Sequence, residues 1–290
     1  VRGVTEAVEE IRLAARGLTL GALRWHNGDA RRVLCLHGWL DNAASFMALA
    51  PRLAGCDVVA LDLPGHGLSD HRGAVAMPFF LEYVADVAAV LDALGWQDVV
   101  LVGHSLGAGV AGYTAAALSS RVSHLVLLEG IGSQTAAYHE VPANLRKALA
   151  DACRTRGEAP SFATVDEAMA ARARGGFWPL GDAAARHIVT RALAQRADGR
   201  HGWRTDPHLR DASVLRLSSG QAAALLGAIT APTLLLCAEQ GLLAQQAAHA
   251  VRSALVPGLQ QQTLPGGHHF HLEPETAPAV AAAVRAFLAG

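Results

Sequence analysis

Two rhythms alternate along this chain. Short aliphatic runs with no polar interruption, such as "RVLCLHG", "DVVALDLPG", "DVVLVGH", "HLVLLEG" and "APTLLLCAE", recur between longer stretches whose apolar residues fall at helical spacing. An uninterrupted run this short is buried on both faces, so these segments predict the inner strands of a parallel sheet with crossover helices. "EEIRLAARG" and "LGALRWH" predict an opening hairpin, and "LQQQTLPGG" a last strand. Helical spacing predicts helices over Asn42 to Leu53, Pro78 to Leu94, Ser105 to Leu118, Leu243 to Leu255 and Pro274 to Leu288.

The rhythm stops after Gly132 and resumes only near Arg216. Between them lie "VPANLRKALADACR", "TVDEAMAARARG" and "DAAARHIVTRALAQRA", three helical patterns separated by "GEAPS" and "GGFWPLG", with no convincing buried strand. A loop of this length without packing of its own would be exceptional. The expected organisation is therefore a core of residues 1–132 and 216–290 with an inserted helical cap at 133–215.

Composition removes several classes of function. The chain has 290 residues, a hydrophobic fraction of 51%, a charged fraction of 17% and a net charge of -1. It can bury a large core, and it carries no basic field to attract nucleic acid or an anionic membrane. Cys35, Cys56, Cys153 and Cys237 form no CxxC pair and read as small core residues in a reducing compartment. No apolar segment has signal-peptide or transmembrane character, so the expectation is a soluble cytoplasmic protein, a monomer or homodimer, acting on a small molecule.

The candidate chemistry begins at "GHSLG". Ser105 lies between Gly103 and Gly107, where an apolar run gives way to a helical pattern, and the glycines permit a sharp elbow that exposes a hydroxyl above a sheet. A serine nucleophile needs a base, a group to orient the base, and N–H donors for the oxyanion. Leu106 supplies one donor, and "HGW" after the third strand supplies the other at Trp39. His37, fixed by its turn, reads as structural.

The base follows the last strand, where "GGHHFHLEPE" offers His268, His269 and His271, and the spacing favours His268. No HExxH, CxxC or carboxylate cluster accompanies these histidines, so no metal is expected. For the acid, "LVLLEGIG" places Glu129 at the end of the sixth strand, and "LLLCAEQGLLA" places Glu239 after the seventh, with Gly241 where an aspartate would be expected. Glu129 is favoured over Glu239. Asp62 in "LDLPGHGLSD" reads as a brace for its turn. His104, Phe177, Trp178 and Trp203, with Trp39, are candidate pocket walls, although each aromatic could equally be cap core.

Together "HGWLDNAASF", "LDLPGHGLSDH", "GHSLGAG" and "GGHHFHLEPE" resemble the α/β-hydrolase superfamily, and the first two are particularly similar to the serine hydrolase-like family. The resemblance implies a mostly parallel eight-stranded sheet flanked by helices, an inserted lid, a Ser-acid-His triad, and no metal or organic cofactor. Ser105, His268, Trp39 and Leu106 match the superfamily motifs. Glu129 matches an acid position used by some haloalkane dehalogenases, and Gly241 departs from the commoner aspartate. Dehalogenases and epoxide hydrolases of this fold use an aspartate nucleophile, so the implied function is serine hydrolysis of a small to medium hydrophobic carboxylic ester. A carbon-carbon bond hydrolase with the same triad, or a non-catalytic binding protein on the same fold, are the alternatives.

Overall fold

In the computed structural model, which describes residues 8–73, 79–157, 159–175, 179–245 and 248–290, the expected sheet is present. Strands β1 (Glu9–Ala15) and β2 (Leu18–His26) form the opening hairpin, turning at Arg16 and Gly17, both at positive φ. Two successive positive φ angles give the hairpin turn whose twist matches the strands it joins.

Strands β3 (Arg31–Leu36), β4 (Cys56–Leu61), β5 (Val99–His104) and β6 (Val122–Leu128) follow, with helices α1 (Phe80–Ala93) and α2 (Leu106–Ala117) between them. The described part of α1 begins at Phe80, and Pro78, where the sequence pattern starts that helix, lies outside the described residues. The predicted helix at Asn42 to Leu53 is instead two 3-10 turns, Ala43–Phe46 and Ala50–Arg52. Asn42 accepts from the Ala44 N–H to start the first, and Pro51, which has no N–H to continue a helical ladder, sits in the second.

Between residues 133 and 215 the chain builds helices α3 (Val141–Ala152), α4 (Val165–Gly175) and α5 (Asp182–Ala192), as the apolar spacing predicts. The pattern did not predict a small antiparallel sheet of β7 (Ser161–Phe162), β8 (Leu193–Gln195) and β9 (His201–Trp203). Helix α5 accordingly ends five residues before the apolar spacing does. Phe162, Ala168, Val189, Leu193 and Trp203 pack together as a small separate core.

After this segment come α6 (Ser219–Gly227), β10 (Thr233–Gln240), α7 (Ala248–Ser253), β11 (Gln260–Gly267) and α8 (Ala277–Ala289). Helix α6 was not expected. It opens on a capping box in which Ser218 accepts from the Gln221 N–H and Gln221 accepts from the Ser218 N–H.

The eight strands pair in the order β1-β2-β4-β3-β5-β6-β10-β11, parallel from β4 to β11, with β2 antiparallel to both its neighbours. β3 and β5 lie at the centre and are buried along nearly their whole lengths. Two apolar clusters cover the two faces, one including Leu34, Leu101 and Val110, the other Val33, Val102 and Val284. Alternate residues of β3 and β5 therefore point into different layers, as a strand buried on both faces requires. Cys35, Cys56 and Cys237 are buried in this core, whereas Cys153 is exposed. Among the described residues no helix is long and apolar enough to cross a membrane. In such a sheet the loops beyond the carboxyl ends of the strands are where a ligand site is expected.

Candidate active site

The sharpest backbone feature is at the carboxyl end of β5. Ser105 has φ 52° and ψ -112°, a conformation rare for any residue with a side chain, and its amide is held by the Leu128 carbonyl at 2.9 Å. The flanking glycines are required by contact. A Cβ on Gly103 would lie 2.3 Å from the Gly107 carbonyl oxygen, and one on Gly107 would lie 2.1 Å from that of Leu36. The strand thus turns directly into α2 at Ser105, and Leu106 opens the helix where amides have no intrahelical acceptor.

Glu129 ends β6 and also has positive φ, 53°. Its carboxylate is wholly buried and accepts from the amides of Ala238 at 2.7 Å, Leu242 at 2.5 Å and Leu243 at 3.4 Å. The same carboxylate meets His268 Nδ1 at 3.2 Å. A Cβ placed on Gly241 would lie 2.1 Å from Glu129 Oε2. Glu239, the other candidate acid, is exposed on the far part of β10.

His268 follows β11 and is buried. Burial pushes its imidazole below the usual histidine value, and its hydrogen bond to Glu129 opposes that shift. Beneath it lies a packed group of histidines. His104 is fully buried, its Nε2 bonds the His268 carbonyl at 2.9 Å, and its ring lies 4.2 Å from that of His271. His271 in turn bonds Ser45 Oγ at 2.9 Å. Burial holds His104 and His271 well below the ordinary histidine pKa. His104 therefore contributes a neutral support under the His268 loop.

The loop after β3 is fixed from both sides. His37 Nε2 accepts from the Leu63 amide at 3.0 Å, which leaves Nδ1 to donate to the Gly38 carbonyl at 2.7 Å. Burial lowers the His37 pKa to about 4, so this neutral tautomer persists. Asp62 braces the neighbouring turn, accepting from the amides of Ala43 and Leu68 and pairing with Arg191 at 2.8 Å. Trp39 is 36% exposed and donates through its indole N–H to the Leu209 carbonyl at 2.9 Å.

Asp41, two residues on, was not singled out by its sequence. It is buried, pairs with His269 at 3.0 Å and receives Arg172 of α4 at 3.1 Å. Burial opposes its ionisation, but His269 and Arg172 outweigh that and hold its carboxyl well below the usual range. Asp41, His104 and His269 offer donor atoms within 4.8 Å of one another. Arg172 already brings positive charge to Asp41, so the set is better suited to an ion-pair network than to a cation.

Gly38, Trp39, Ser105, Leu106, Glu129 and His268 all border one cavity of about 1710 Å³, which residues of the 133–215 segment also line. Phe162 and Trp203 line it while also packing on each other, ring centroids 5.3 Å apart. Trp203 is thus both wall and local core. Phe177 and Trp178 lie outside the described residues.

Known proteins align with this arrangement. The profile of the α/β-hydrolase fold family matches residues 31–275. A serine hydrolase-like protein of Danio rerio is 32% identical over 240 residues, covering 81% of this chain and 73% of its own. A hypothetical protein of Pseudomonas aeruginosa superposes with a TM-score of 0.89 at 37% identity, covering 98% of this chain and 100% of its own. A thioesterase domain from the curacin biosynthetic pathway gives 0.84 at 26% identity, with the same coverage. The chain belongs to the α/β-hydrolase fold family and, within it, to the serine hydrolase-like proteins.

Proposed function

We propose that this protein is a serine hydrolase that cleaves a hydrophobic carboxylic ester through an acyl-enzyme, with Ser105 as nucleophile, His268 as base and Glu129 as the orienting acid. The observation that carries the reading is the convergence of three strand ends on one cavity: the strained elbow at Ser105, the Glu129 carboxylate and His268 Nδ1 at 3.2 Å from it. Engagement of Nδ1 by Glu129 leaves Nε2 as the atom to exchange a proton with the Ser105 hydroxyl.

Ser105 Oγ attacks the ester carbonyl as its proton passes to His268. The oxyanion forms between the amides of Leu106 and Trp39. Collapse breaks the bond to the alcohol oxygen, which takes the proton from His268, and water attacks the acyl-serine by the same route in reverse. Glu129 stabilises the imidazolium formed in each half. The segment at 133–215 acts as a lid, and the cavity beneath it, larger than the ordinary ~300–1,000 Å³ ligand pocket, leaves room for a medium-chain acyl group. The likeness to a thioesterase domain fits acyl transfer to water as the reaction class.

The test is hydrolysis of p-nitrophenyl esters, acetyl to decanoyl, by the native protein and by Ser105→Ala, Glu129→Gln and Glu239→Gln. Turnover by native protein, its abolition in Ser105→Ala and a steep loss in Glu129→Gln but not Glu239→Gln is the expected result. Equal inertness of native protein and Ser105→Ala across the series would overturn it.

A further inference from the structure

The cavity's charge is uneven. The whole chain carries a net charge of -1, yet the described lining includes Lys147, Arg210, Arg216 and Arg252 with no carboxylate partner among the described residues. The acids that border the same space are already engaged. Asp41 holds Arg172, Asp211 holds Arg154 and Arg156, Asp206 holds His208, and Glu129 holds His268.

Two of these cations flank one short stretch that leads away from the nucleophile. Gly130 packs so closely on Ser105 that a Cβ there would lie 2.6 Å from the Ser105 carbonyl oxygen. One residue later, the Ile131 carbonyl accepts from Arg252 Nη1 at 3.0 Å, leaving the rest of that guanidinium at the cavity edge. At the other end of the stretch, Thr135 bridges Leu217, next to Arg216. Residues 131 to 135 span at most roughly 14 Å when extended, so Arg252 and Arg216, which both line the cavity, belong to the two ends of the stretch that starts beside Ser105. Ser133 and Gln134, also on that wall, add polar groups.

We infer that this basic wall of Arg216 and Arg252 receives an anionic group, a carboxylate or phosphate, at the end of the substrate remote from the scissile acyl carbon. The inference rests on the esterase reading for the position of that carbon. A guanidinium is always charged and binds carboxylate or phosphate through forked N–H donors, so the wall selects anions without depending on pH.

The test compares mono-p-nitrophenyl suberate, which carries a distal carboxylate, with neutral p-nitrophenyl octanoate. Native protein is expected to favour the suberate about tenfold in kcat/KM, mainly through KM, and the preference should shrink as salt is raised. In Arg216→Gln/Arg252→Gln the ratio of the two should fall about tenfold. Calorimetric titration of free suberate into Ser105→Ala, with and without the arginine changes, reads the anion site independently of turnover. Hydrolysis of octanoate with no preference for suberate would overturn the inference and leave the esterase reading standing. Inertness toward both esters, with suberate binding that depends on the arginines, would overturn the esterase reading and leave the anion site standing without its relation to a scissile carbon. An equal loss of affinity for suberate and for neutral dimethyl suberate would also overturn the inference.

Discussion

Glu129 and Gly241 occupy one place: a side chain at 241 would enter the volume filled by the Glu129 carboxylate, with Cβ 2.1 Å from Oε2. The loop after β10, where an aspartate would be expected, has given up its side chain, and the end of β6 sends a longer carboxylate into the same position. There it takes the amides of Ala238, Leu242 and Leu243 and faces His268.

Exchange of the acid between the two strands follows. Gly241→Asp alone should expel or displace Glu129, lowering both thermal stability and ester turnover by tenfold or more. The double change Glu129→Gly/Gly241→Asp should recover much of both, because glycine suits the positive φ at 129 and aspartate then reaches His268 from 241. Parallel melting curves and kinetics check this. A single variant as active as native protein would show that the site tolerates two carboxylates.

The pH dependence has a worked sign. In the proposed reaction His268 must be neutral to accept the Ser105 proton, and burial sets its pKa below the ordinary 6.5. The acid limb of kcat/KM should therefore lie below pH 6.5, and Glu129→Gln, which removes an interaction that raises the pKa, should move it lower still. A limb above pH 7 would contradict the burial argument.

Stability has its own pH window. His37 is lowered to about 4 and His66 to about 3 because burial disfavours their charged forms. In the unfolded chain both would protonate near 6.5, so unfolding takes up protons below that pH. Their contribution is fully present above about pH 6.5. It is lost as pH falls, down to about 4 for His37 and about 3 for His66. Melting temperature measured from pH 8 to 4 should be flat at first and then decline, and His37→Leu should weaken the decline relative to its own plateau.

Asp41 ties the loop that bears Trp39 to α4 through Arg172 and to the His268 loop through His269. Asp41→Asn leaves the partly buried Arg172 guanidinium without its carboxylate, and His269 without its hydrogen-bond partner, and should cost about 3 kcal/mol of stability. It should also loosen the roof of the cavity, raising KM for longer esters more than for acetate. Denaturant unfolding and the chain-length profile check the two halves separately.

The sheet was legible because its inner strands are aliphatic without interruption, a pattern that burial on both faces imposes. The strands β7, β8 and β9 were not, since two or three residues are too few to show alternation, and β8 continues the apolar spacing of α5. Ser105, Glu129 and His268 could be put forward as candidates because each stands at the end of a recognisable strand, and the structure brings all three to one cavity. The collision between positions 129 and 241 could not, because only packing reveals it. Nor could the pairing of Asp41 with Arg172, 131 residues apart, which carries no local signal in either segment.

The most direct test of the central claim, that Ser105 is the nucleophile of a working site, is intact-protein mass spectrometry after exposure to a fluorophosphonate. The account predicts a single phosphonyl adduct on native protein, mapping to Ser105 and absent from Ser105→Ala. A native protein that gains no adduct, or an adduct that persists in Ser105→Ala, would contradict it.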